Sequence, residues 1–119
     1  MRWTVAGASV AGSAHIREGL PCQDSHAYRE LPDGTLLIAV ADGAGSAPHG
    51  GLGASLAVAA AIETLSGLLP VEIDAEGPLA VLTAGVNAAR DRLFAEATER
   101  KLDLADLATT LLLVAASAE

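Results

Sequence analysis

The sequence predicts an α+β fold with the element order strand, strand, strand, helix, helix, strand. Three observations carry this expectation. Two runs rich in strand-formers, residues 25–31 and 35–41, flank Pro32-Asp33-Gly34, a turn in which Pro presets φ and Gly supplies the positive φ. Two long Ala- and Leu-rich stretches follow, with apolar residues at helical spacing. Near the end, the β-branched pair Thr109-Thr110 leads into Leu111-Leu112-Leu113-Val114, which reads as a buried strand.

In chain order, residues 3–10 mix strand-formers with Ala and Gly and are expected to form a first strand. The two runs around Pro32-Asp33-Gly34 form a hairpin. Residues 52–69 are helical by their Ala and Leu content, with Gly67 and Pro70 as stop signals. Residues 71–77, carrying Glu72, Asp74 and Glu76, form an acidic loop. Pro78 suits the first turn of a second helix, whose apolar positions Leu79, Leu82, Val86, Ala89, Leu93 and Ala97 recur at spacings of 3 or 4. Glu99-Arg100-Lys101 end it, the two cations facing the negative helix terminus. Residues 108–116 are the last strand.

The 119 residues suffice for one small domain, which at this size buries ~65% of its unfolded surface. The chain is 51% hydrophobic with one Trp, one Tyr and one Phe, so its core must be built from Ala, Leu and Val. Fifteen acids against seven bases give a net charge of -8, and the bases are scattered, which argues against nucleic acid as a partner. The single Cys22 has no internal disulfide partner. The longest uninterrupted apolar stretch, residues 56–62, is too short to span a bilayer. The expectation is a cytoplasmic chain with no membrane partner.

Chemistry concentrates where the run 36–41 meets Asp42-Gly43-Ala44-Gly45-Ser46. Asp-Gly is ordinarily a hairpin signal, but no second alternating strand follows; a long helix does. The junction therefore places a carboxylate at the end of a buried strand, beside backbone able to approach an ion closely. Asp24 precedes the other strand of the hairpin, so antiparallel pairing brings the two carboxylates together. Carboxylate and carbonyl oxygens suit a hard divalent cation. Without further support, Asp42 reads more often as a turn residue than as a ligand, and Asp24 equally as a turn cap. Residues 7–12, Gly7-Ala8-Ser9-Val10-Ala11-Gly12, have the look of a dinucleotide-binding turn. That turn must open a helix, and Gly19 and Pro21 interrupt the next ten residues, which leaves nucleotide binding a weak alternative.

Residues 19–24 with their Gly-x-Pro-Cys-Gln-Asp order, the turn Asp42-Gly43-Ala44-Gly45-Ser46, the helix start Gly53-Ala54-Ser55 and the stretch Ala108-Thr109-Thr110-Leu111-Leu112-Leu113 carry a resemblance across almost the whole chain. In these motifs the sequence resembles the metal-dependent Ser/Thr protein phosphatases of type 2C (PPM family), in its bacterial branch. The resemblance implies a four-layer α-β-β-α sandwich of two antiparallel sheets flanked by helices, of which this chain holds part. It implies two Mn²⁺ or Mg²⁺ ions, bridged by Asp42, with the Gly43 carbonyl on one of them and Asp24 acting directly or through water. A pair of such ions lowers the pKa of a water and neutralises phosphoryl charge. Gln23 stands where the family commonly has a second acid. The family's phosphate-holding arginine aligns with Gly19; Arg17 is close enough to substitute as phosphate ligand. His15 is a candidate proton donor to the leaving oxygen, against the commoner structural role of a lone His. His49 falls near the family's loop histidine, in a loop one residue longer, and His26 reads as a strand residue.

By the same resemblance the substrate is a phosphoprotein opposed by a cognate Ser/Thr kinase in bacterial signalling. The family's remaining metal-binding aspartates have no counterpart here, so residues 1–119 are expected to be the N-terminal portion of a single phosphatase-like domain, inactive alone. The alternative is a non-catalytic phosphatase-like module for binding or scaffolding. The last strand is expected to leave an open sheet edge, filled by self-association or by the missing C-terminal half.

Overall fold

The computed structural model describes residues 3–19, 22–69 and 77–117. A short helix α1 (Ser13–Arg17) precedes strands β1 (Asp24–Glu30) and β2 (Leu36–Asp42); helices α2 (Gly50–Leu68) and α3 (Gly77–Arg100), a 3₁₀ turn (Leu104–Leu107) and strand β3 (Leu112–Ala116) follow. The fold is α+β, as expected. The strands form one antiparallel sheet in the order β1-β2-β3, with Asp24 opposite Asp42, Tyr28 opposite Ile38, and Ile38 opposite Val114.

The hairpin turn closes as its sequence dictates. Leu31 N–H donates to the Thr35 carbonyl at 2.8 Å, and the Asp33 carboxylate accepts from both the Thr35 amide and its hydroxyl at 3.0 Å. Strand alternation then sorts the faces of β2. Leu37, Ala39 and Ala41 point inward and are buried against α2, packing with Ala54, Val58, Ile62 and Leu65. Ile38, Val40 and Asp42 point outward, next to Tyr28, Leu112 and Val114, and Leu112 is 69% exposed.

Three expectations are corrected. Residues 3–10 are not a strand: they lie along the outer sheet face with no ladder of their own among the described residues. They are held instead by side chains, Trp3 Nε1–H donating to the Gly34 carbonyl at 2.6 Å and Ser9 Oγ lying 2.6 Å from His26 Nδ1. The final strand begins at Leu112, not at 108, because residues 104–107 turn and Thr109 makes only an isolated bridge to Gly43. Third, α2 as a whole is long and apolar enough, at mean hydropathy 1.4, to cross a membrane by length and composition, because only one charged residue, Glu63, interrupts it; a helix buried in a globular core passes the same test. Its apolar face is the floor of the core. The expected acidic loop lies, but for Gly77, outside the described residues.

The second helix ends beyond Arg100 at Lys101, whose φ of 58° is left-handed. Leu102 N–H reaches back to the Ala97 carbonyl (2.9 Å) and Lys101 N–H to that of Thr98 (3.4 Å), the paired bonds of a Schellman cap. Arg92 and Arg100 both reach Glu96, at 3.0 and 3.7 Å.

Candidate functional site

Antiparallel register sets the site. Because β1 starts at Asp24 and β2 ends at Asp42, the two carboxylates stand side by side at the open end of the hairpin, on its outer face. Both are solvent-exposed. A hydrogen bond to the Asp42 carboxylate holds the Asp24 carboxyl above its usual range; burial and the Asp42 charge add to this, and the His15 charge works against it. Such a pair of like-charged groups shares a proton or a cation.

The backbone behind the pair is fixed from three sides. Gly43 N–H donates to the Gln23 carbonyl at 3.0 Å, tying the turn to the residue before Asp24. Asp42 N–H donates to Thr110 Oγ1 at 3.0 Å, and Thr110 N–H returns a bond to the Asp42 carbonyl at 2.9 Å. Ala44 N–H donates to the Ala108 carbonyl at 2.9 Å and His49 N–H to that of Asp106 at 2.8 Å. At Gly43 a Cβ would strike the Gly50 backbone and sit 2.8 Å from the Gln23 carbonyl, so only glycine brings the chain past the start of α2 here.

Of the residues singled out from sequence, Asp24, Asp42 and Gly43 are brought together. His15, in α1, is near enough for its charge to act on Asp24. Arg17 ends α1 exposed, with no hydrogen bond or ion pair to either aspartate. His49 precedes α2 and makes no side-chain cap. His26 is indeed a strand residue, on the outer face beside the aspartates. One contributor was missed. Thr110 was read as a strand-former within the resembling stretch 108–113, without its backbone partner sixty-eight residues away. The Gln23 Oε1 is buried without a hydrogen-bond partner, a demand that an ordered donor such as water would meet.

The donor set fits one side of a hard-cation site. Two adjacent carboxylates, a glycine carbonyl held where no side chain can enter, and an orphaned amide oxygen next in sequence are all oxygen donors. Among the described residues no group of three His, Cys, Asp or Glu side chains is placed to hold a metal alone. A groove of about 440 Å³ between residues 5–10 and the outer sheet face opens beside the pair.

Comparisons with known proteins identify the family. The family model described as protein phosphatase 2C matches residues 11–119. Serine/threonine-protein phosphatase 3 of Escherichia coli (strain K12) is 40% identical over 117 residues, covering 94% of this chain and 46% of that protein. The chain thus spans about half the length of this relative. No solved structure matches it. The match over nearly the whole chain makes this chain a member of the protein phosphatase 2C family.

Proposed function

We propose that the complete domain hydrolyses phosphoserine and phosphothreonine in proteins, reversing a cognate kinase, and that this chain supplies one half of its metal site. The observation that supports this most is the pairing of Asp24 with Asp42 beside the Gly43 turn. Asp42, the Gly43 carbonyl and Asp24 would hold Mn²⁺ or Mg²⁺, two ions in the complete domain. Bound there, the ions supply charge neutralisation for the phosphoryl group and a lowered pKa for water. The chain's own part is to hold the two carboxylates together against their repulsion, through the hairpin ladder and the Thr110 clasp. His15, whose charge acts on Asp24, would hand a proton to the departing oxygen, and Arg17, also in α1, would hold phosphate oxygens. A free Cys22 is consistent with the reducing cytoplasm as the place of reaction.

The test compares two proteins. A protein carrying the complete domain, with Mn²⁺, is expected to release phosphate from a phosphothreonine peptide, with Asp42→Asn lowering kcat at least ~100-fold. The 119-residue chain alone should turn over p-nitrophenyl phosphate barely above background, having donors on one side of the site only. Full activity of the Asp42→Asn variant would sink the site assignment. Robust, Asp42-dependent turnover by the short chain would sink the claim that it is half a site.

A further inference from the structure

Helix α1 carries His15 and Arg17, the two residues that the proposed reaction takes from outside the aspartate turn, yet little holds it. It is five residues long, buries none of them and has no side-chain cap. Among the described residues its hydrogen bonds run only within residues 12–19. A helix this short has no stability of its own in water, so the chain on either side must fix it. Downstream the chain enters β1 at Asp24. Upstream it is pinned at Ser9, whose Oγ lies 2.6 Å from Nδ1 of His26 on β1. The other bonds that tie residues 3–10 to the hairpin, those of Trp3 to Glu30 and Gly34, lie at the far end of the segment. The imidazole is held from a second side by Gly7, where a Cβ would sit 2.9 Å from both Cδ2 and Nε2 of His26. Gly7 is not among the glycines with positive φ, so its bareness serves this contact and not a turn.

We propose that Ser9 is a positioning residue: its clasp on His26 fixes where the chain turns into α1, and so keeps His15 and Arg17 beside the aspartate pair. The roles of those two residues rest on the phosphatase reading; the clasp does not. Strand alternation puts His26 on the outer face with Asp24, two residues along β1, and Ser9, His26, Asp24 and Asp42 border one groove. The clasp is therefore anchored on the same strand, and on the same face, as the site it serves. The His15 charge acts on Asp24, which places α1 close to the pair while Ser9 is bound.

Relaxation of the ¹⁵N-labelled 119-residue chain reads the clasp. Ser9→Ala is expected to drop the order parameters of residues 13–18 below ~0.6 while those of residues 25–30 and 36–41 stay near ~0.85. Gly7→Ala, which pushes the ring off Ser9, should do the same, and the double variant should add nothing further. Ser9→Thr, which keeps the hydroxyl, should leave α1 ordered. In a protein carrying the complete domain, with Mn²⁺, Ser9→Ala should lower kcat/KM for a phosphothreonine peptide about tenfold, with Mn²⁺ affinity unchanged and Ser9→Thr restoring most of the loss. The loss should be smaller on p-nitrophenyl phosphate, whose phenolate leaves without a proton donor. An α1 already mobile in the wild type, or one as ordered in Ser9→Ala as in the wild type, would overturn the clasp even where activity still depends on Asp42. Loosening spread equally through β1 and β2, or an unchanged kcat/KM, would overturn the positioning role. Activity that survives Asp42→Asn would remove the phosphatase reading, and the catalytic purpose of the clasp with it.

Discussion

At the residue scale, the site is a conflict that the fold holds in place. Asp24 has its carboxyl raised by Asp42, so across the window from the ordinary value of 3.8 up to the raised value the native state binds more protons than the unfolded one. Stability from this group is therefore greatest at low pH and is lost as pH rises through that window. The metal-free chain with Asp24→Asn is expected to melt higher at neutral pH than the wild type, by ~2 °C given solvent screening, and to lose that pH slope. Mn²⁺ should stabilise the wild type increasingly as pH rises, because cation and proton compete for the same oxygens, and should do little for Asp24→Asn. Thermal melts from pH 4 to 8, with and without Mn²⁺, read all of this; a slope unchanged by the substitution would refute the coupling. The aspartates and Gly43 were legible in the sequence because residue type and order identify them. The clasp by Thr110 was not, since a hydrogen bond across sixty-eight residues leaves no local pattern. Thr110→Val should cost ~1 kcal/mol in denaturant unfolding.

At the scale of elements, packing overrides propensity where α2 begins. Gly53 lies inside a helix, where Ala would ordinarily be favoured by ~1 kcal/mol. Yet a Cβ there would run into the Leu107 carbonyl of the 3₁₀ turn. Gly53→Ala is therefore expected to destabilise by ~2 kcal/mol or more, and a gain in stability would show that the turn does not cross the helix this closely. The opposite holds at the end of α3, where Lys101 occupies a left-handed cap; Lys101→Gly should stabilise by ~0.5–1 kcal/mol. The hairpin, α2 and α3 were legible because turn residues and spacing are local signals, whereas the five-residue α1 is too short to show a period. Residues 3–10 misled because strand-forming composition does not supply a partner strand, and the turn at 104–107 was hidden by the apolar residues on either side of it.

For the molecule as a whole, one sheet face is filled by helices and the other carries Tyr28, Val40, Leu112 and Val114 exposed. We expect the isolated chain to self-associate at micromolar concentration through this sheet and its β3 edge, or to bind the remainder of its domain there. Leu112→Lys should shift sedimentation toward monomer without unfolding, whereas a monomeric wild type with cooperative unfolding would contradict the expectation. The central claim, that the hairpin's end is half of a divalent-cation site, is tested most directly by paramagnetic broadening. Substoichiometric Mn²⁺ added to the ¹⁵N-labelled chain should erase amide signals of residues 22–26 and 41–46 first, and Asp42→Asn should restore them. Broadening centred elsewhere on this acidic chain, or unchanged at those residues by Asp42→Asn, would contradict the account.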